Sequence, residues 1–159
     1  MIDEPLDGRL FGPDHHCFGC EPTHPFGFHL TFTREDDSVV TRFTPGHDYQ
    51  GPLNVMHGGL VMTLADELSA WALLALLGKF GFTVDVSCKL RRPVRIGVEM
   101  VGRARIAKNS GRIVRVAFDV SQTGESCMAG EMAFAILDMA AAEKLMGQPL
   151  PKSWARFCR

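Results

Sequence analysis

The chain has 159 residues, enough for one domain with a sizeable core. Apolar residues make up 46% and charged residues 22%, a balance that excludes an intrinsically disordered chain. A formal net charge of −1 lacks the basic excess of a nucleic-acid binder, and the apolar run Leu60 to Leu77 carries Asp66 and Glu67 near its middle, which argues against a membrane span.

Residues 1–26 read as an irregular N-terminal segment, broken by Pro5, Gly8, Gly12, Pro13, Gly19, Pro22 and Pro25. The acidic start lacks the basic and apolar regions of a signal peptide, so the cysteines read as thiols in a reducing cytoplasm. Two short strands are expected at Phe28 to Thr33 and Val39 to Thr44, with Asp36-Asp37-Ser38 as the turn between them. Pro45 to Met56 reads as a loop. A helix then begins near His57 and runs through Leu77, ended by Gly78, and its nearly all-round apolar character calls for a helix enclosed by protein.

Four strands follow: Phe82 to Leu90, Val98 to Ala107, Arg112 to Ser121 and Cys127 to Leu137. Tight turns at Asn109-Ser110-Gly111 and Gln122-Thr123-Gly124 join the last three into a meander. Ala140 to Met146 reads as a short helix, and the tail from Pro149 as loose. These elements give an α+β class, an antiparallel β-sheet wrapped around one long central α-helix. Residues 27–138 form the domain and 139–159 a C-terminal extension. Sheet edges and a helix flank would stay open, and dimerisation covers such surfaces.

The segment His57-Gly58-Gly59 stands where the helix starts. Its first N–H groups lack partners inside the helix and carry the positive end of the helix dipole, a suitable place for a carbonyl oxygen gaining negative charge. A glycine-rich entry into a helix serves packing equally well. Asp66 lies two and a half turns further on, where a carboxylate must be paired, protonated or functional; bonding to Thr63 or Ser69 would satisfy it without any chemistry. Glu67 points about 100° away from Asp66 and is placed at the solvated edge. Nine residues separate His57 from Asp66, about 13.5 Å along a helix. No small carbonyl spans that, so joint action on one substrate requires two protomers.

His57-Gly58-Gly59 followed by Leu64-Ala65-Asp66-Glu67 resembles the helix signature of the hotdog-fold acyl-CoA thioesterases, in their phenylacetyl-CoA thioesterase-like branch. Thr83-Val84-Asp85-Val86 and Leu90-Arg91-Arg92-Pro93-Val94-Arg95-Ile96-Gly97 resemble that family's next strand and turn. Cys17-Phe18-Gly19-Cys20 with Pro25-Phe26-Gly27-Phe28 resembles an N-terminal element of one subgroup.

The resemblance implies a hotdog fold and a thioester hydrolase acting on an acyl- or aryl-CoA. Asp66 would be general base or nucleophile. The Gly58 and Gly59 backbone of the partner protomer would polarise the carbonyl, with His57 orienting it, and Thr83 would place a water. Some relatives carry Asn six residues before the His, where this chain has Gly51; Gln50 and Asn54 are the nearest amides and become substrate-binding candidates. A non-hydrolytic acyl-CoA-binding or regulatory protein is the alternative. A hydratase needs a His and acid arrangement that no segment matches.

Among the basic residues of the second half, Arg91 and Arg92 are candidates for the phosphates of CoA, against a solvated strand face as the plainer role. Leu64, Leu68 and Trp71 read as core rather than acyl pocket. Cys17-x-x-Cys20 with His15, His16 and His24 nearby has the ligand types for zinc, but no second cysteine pair follows, so packing ranks ahead of zinc, and zinc ahead of redox chemistry. The expectation is therefore no metal, no cofactor, no nucleic-acid or membrane partner, and a homodimer or homotetramer.

Overall fold

The computed structural model describes residues 6–12 and 15–159. The strands are β1 (Thr33–Glu35), β2 (Ser38–Phe43), β3 (Gly81–Leu90), β4 (Met100–Asn109), β5 (Ile113–Gln122) and β6 (Glu125–Ile136); the helices are α1 (Gly58–Leu77) and α2 (Met139–Met146). All six strands join one antiparallel sheet in the order β1-β2-β4-β5-β6-β3, and α1 packs along its concave side. This is the hotdog fold that the resemblance implied.

The turn chemistry sets the meander. Thr123 and Gly124 both take positive φ (50° and 82°), the two-residue turn that matches strand twist between β5 and β6. Gly111, also at positive φ, closes the β4–β5 turn while its N–H donates to Asn109 Oδ1. Gly78 ends α1 in the left-handed region at φ 63°, as expected of its position.

The core lies between α1 and the sheet. Leu64, Leu68, Leu73 and Trp71 on the helix meet Val39, Met100, Val116, Phe118, Met128 and Phe134 on the strands. Each such side chain contributes about 1.5–3 kcal/mol on burial. Leu64, Leu68 and Trp71 are thus core, as read from the sequence. The apolar length of α1 would suit a bilayer by composition alone, but most of it is covered by this sheet. One flank stays open: Gly59 and Thr63 are exposed and Met62, Asp66 and Ala70 half-buried, at the i, i+3, i+4 spacing of one helical stripe.

Three expectations need correction. The first strand begins at Thr33 rather than Phe28. Residues 28–32 pair with the N-terminal segment instead, through Phe28 N–H to Phe18 C=O (2.9 Å), Leu30 N–H to Gly19 C=O (2.9 Å) and Phe32 N–H to Leu6 C=O (3.0 Å). The tail is packed, not loose. Residues Lys152–Phe157 form a 3-10 turn, Phe157 is buried, and its carbonyl accepts from Phe80 N–H at 2.8 Å. Trp154 fills the space between Phe11 and Phe80. Glu67, the third, belongs to the next section.

Candidate active site

Asp66 and Thr83 come together. Thr83 Oγ1 donates to Asp66 Oδ1 at 2.6 Å, from β3 to α1. Thr63 and Ser69, the alternative partners, bond backbone instead: Thr63 to Gly59 C=O and Ser69 to Ala65 C=O. The approach of Thr83 depends on a β-bulge. Thr83 pairs with Phe134, and Asp85 with Ala133, so Val84 is an extra residue in β3. Val86, Cys88 and Leu90 face the helix side opposite Met132, Gly130 and Met128. Thr83 is an odd number of residues from Val86 and would point away in a regular strand; the bulge turns it to the helix.

At the other end of the helix, His57 is the N-cap, and its Nδ1 accepts from Gly59 N–H at 3.1 Å. With Nδ1 accepting, the ring hydrogen of the neutral imidazole sits on Nε2, free to donate outward. The His57 carbonyl takes the N–H groups of Leu60 and Val61. The two glycines therefore differ. Gly59 N–H is occupied by the cap, whereas Gly58 N–H has no acceptor among the described residues. Gly58 lines an apolar cleft of about 190 Å³ together with Met56, Leu90, Pro93, Cys127 and Arg92.

The remaining candidates divide. Arg92 rims this cleft but is paired with Glu125 at 2.8 Å, both side chains exposed. Arg91 is exposed and forms no ion pair among the described residues. Gln50 Oε1 accepts from Asn54 N–H at 3.1 Å, which closes the loop before α1, and Asn54 holds a positive φ at its tip. Position 51 abuts His57 directly: a Cβ on Gly51 would lie 3.0 Å from His57 Cα. Within one chain His57 and Gly58 stand at the start of α1 and Asp66 with Thr83 further along it.

Glu67 is not at a solvated edge. It turns to the closed side of α1, where Trp71 Nε1 donates to its Oε1 at 3.0 Å and Cys17 Sγ lies 3.4 and 3.5 Å from its two oxygens. Burial, and then the charge of Cys17, pushes its carboxyl up to about 7. Beside it, Cys20 holds the Cys17 thiol below the ordinary range through a hydrogen bond, and Cys20 itself is raised by the same bond. Apart from Trp71 at i+4, nothing in the local sequence marks Glu67.

A helix N-terminus whose Gly58 N–H has no acceptor among the described residues, and a carboxylate bonded by a hydroxyl, thus both stand on the open face of the central helix. Residues 53–129 match the family model described as the Thioesterase superfamily. Acyl-coenzyme A thioesterase 13 of Mus musculus is 34% identical over 86 residues, 54% of this chain and 61% of that protein. The chain thus spans about three fifths of the length of the curated relatives it matches. Among solved structures, a thioesterase superfamily protein superposes with a TM-score of 0.70 at 23% identity, over 85% of this chain and 68% of that one. A hypothetical thioesterase from Streptococcus pneumoniae, solved with coenzyme A, gives a TM-score of 0.62 at 16% identity over 67% of this chain and 86% of that one.

Proposed function

We propose that this chain is an acyl-CoA thioesterase that hydrolyses an acyl- or aryl-CoA to the free acid and CoA, in sites shared by two protomers. The observation that carries the reading is the 2.6 Å hydrogen bond from Thr83 to Asp66 on the open flank of α1. A hydroxyl fixed on one carboxylate oxygen leaves the other oriented toward whatever covers that flank. The relatives named as acyl-coenzyme A thioesterases support the substrate class.

In this reading the flank is covered by a second copy. β3 is one of the two edge strands of the sheet, ten residues long, with Val84, Val86 and Leu90 exposed. An apolar edge of that length is a pairing surface. Pairing about a two-fold axis brings Asp66 of one protomer toward the His57–Gly58 helix start of the other. Gly58 N–H and the helix dipole then polarise the thioester carbonyl, and His57 Nε2–H orients it. Asp66 takes a proton from water as that water adds to the carbonyl carbon. The oxyanion rests on Gly58 N–H, then collapses and expels the CoA thiolate. Direct attack by Asp66, through an anhydride that water opens, uses the same atoms. Arg91 and Arg92 meet the phosphates at the cleft mouth.

Gly51 favours one second reading, a non-hydrolytic acyl-CoA-binding protein, because position 51, which abuts His57, carries no amide side chain. Thiol release from a panel of acyl- and aryl-CoAs separates the two. Turnover by the wild type, with Asp66→Asn slower by about 10²-fold or more, supports hydrolysis through Asp66. Tight binding without thiol release supports the second reading.

A further inference from the structure

On the closed side of α1, opposite the flank that bears Asp66, three potential metal ligands meet. The donor atoms of His15, Cys17 and Cys20 all lie within 4.8 Å of one another. Cys20 Sγ is 3.7 Å from His15 Nε2, and Cys17 Sγ is 3.4 Å from Glu67 Oε2. Around a tetrahedral zinc ion, with Zn–S near 2.3 Å and Zn–N or Zn–O near 2.0–2.2 Å, ligand atoms stand about 3.5–3.8 Å apart. Both measured separations fall at or close to that range.

We infer that His15, Cys17, Cys20 and Glu67 form a structural zinc site that clamps the N-terminal segment to α1. Two thiolates and an imidazole converge, the Glu67 carboxylate beside Cys17 is the fourth donor, and thiolate softness selects zinc over magnesium or calcium. The surroundings are those of a ligand set held in place. Trp71 Nε1 donates to Glu67 Oε1 and leaves Oε2 toward the cysteines. Gly19, between the two cysteines, is required there: a Cβ would lie 2.5 Å from the Glu67 carboxyl carbon. Backbone bonds from Gly8 to Cys20, Phe28 to Phe18 and Leu30 to Gly19 fix the turn from three sides. Cys20 is 1% exposed. His16 is solvent-facing and His24 bonds Phe26 N–H, so neither joins the cluster.

The second cysteine pair missing from the sequence is thus replaced by one imidazole five residues before Cys20 and one carboxylate fifty residues beyond Cys17. Glu67 follows Asp66 directly, so the ion would tie down the residue beside the proposed base without facing the substrate. The site stands apart from the thioesterase reading, and its test does not use activity.

The full chain, purified in reductant without chelator, is expected to carry about one zinc per chain by elemental mass spectrometry. Cys17→Ser and Cys20→Ser should each lose most of it, while Cys88→Ser, outside the cluster, should retain it. A second measurement needs no variant: wild type stripped of metal, reduced and titrated with Co²⁺ should develop thiolate-to-cobalt charge-transfer absorption and intense tetrahedral d–d bands, saturating at one equivalent. Wild type without zinc and no thiolate–cobalt band would overturn the site. A Cys17–Cys20 disulfide in the freshly purified chain, or zinc content unchanged in both cysteine variants, would overturn it equally.

Discussion

Asp66 and Glu67 are consecutive on one helix, yet the fold gives them opposite surroundings. Asp66 faces the open flank, is half-buried, and is held by the hydroxyl of Thr83. Glu67 faces the closed flank, bonded by the Trp71 indole and close to Cys17. A rotation of about 100° per residue is all that separates them. The contrast teaches that acid chemistry is assigned by what the sheet leaves uncovered, not by the carboxylate itself. On this view the open flank carries reaction and the closed flank carries stability, and variants on each should move different readouts.

The largest effect is expected from deleting the donor at the helix start. Gly58 is the first helical residue, and His57 before it has φ −58° and ψ 126°, a backbone that a following proline accepts. Gly58→Pro therefore removes the free N–H and keeps the helix. We expect kcat to fall about 10²–10³-fold with the melting temperature nearly unchanged. Asp66→Asn should match it at about 10²-fold or more, again without loss of stability. A large drop in melting temperature for either would break the division between flanks.

Glu67→Ala should do the reverse. It leaves the Trp71 indole N–H unpaired in a buried setting, a cost of about 1–3 kcal/mol. For a chain of this size that lowers the melting temperature by about 3–10 °C in a thermal scan. Turnover measured well below the transition should change little. Steady-state kinetics as damaged as those of Asp66→Asn would show that the closed flank takes part in chemistry.

Smaller still is Thr83→Ala, expected to lower kcat about tenfold by freeing Asp66 to turn, with Thr83→Ser restoring most of it. No recovery with serine would mean that Thr83 acts through its methyl group or the bulge rather than its hydroxyl.

Much of this was legible along the chain. Gly78 as helix stop, the Thr123-Gly124 turn and the β4–β6 meander follow from local rules, and their strand ends shift by at most two residues. His57, Gly58 and Asp66 were legible because a helix start and an acid in an apolar run are themselves local signals. What escaped is non-local. Period-two counting cannot foresee the bulge at Val84 that turns Thr83 inward. Phe28, Leu30 and Phe32 alternate like a strand, but their backbone partners lie in residues 6–19, which carry no strand pattern. Glu67 is buried by Gly19 and Cys17, about fifty residues away in sequence. Gly59 was grouped with Gly58, and only the side-chain cap from His57 separates them.

The central claim is that each site draws its acid from one protomer and its helix N-terminus from the other, and hybrid dimers test it most directly. Gly58→Pro and Asp66→Asn chains, each nearly inactive alone, are co-expressed in equal amounts with different tags. If sites are shared, half the dimers are mixed and each holds one site with both residues intact, so thioesterase activity should return to about a quarter of wild type. The doubly tagged fraction should carry nearly all of it. Co-expression that yields no more activity than the two variants alone would contradict the account.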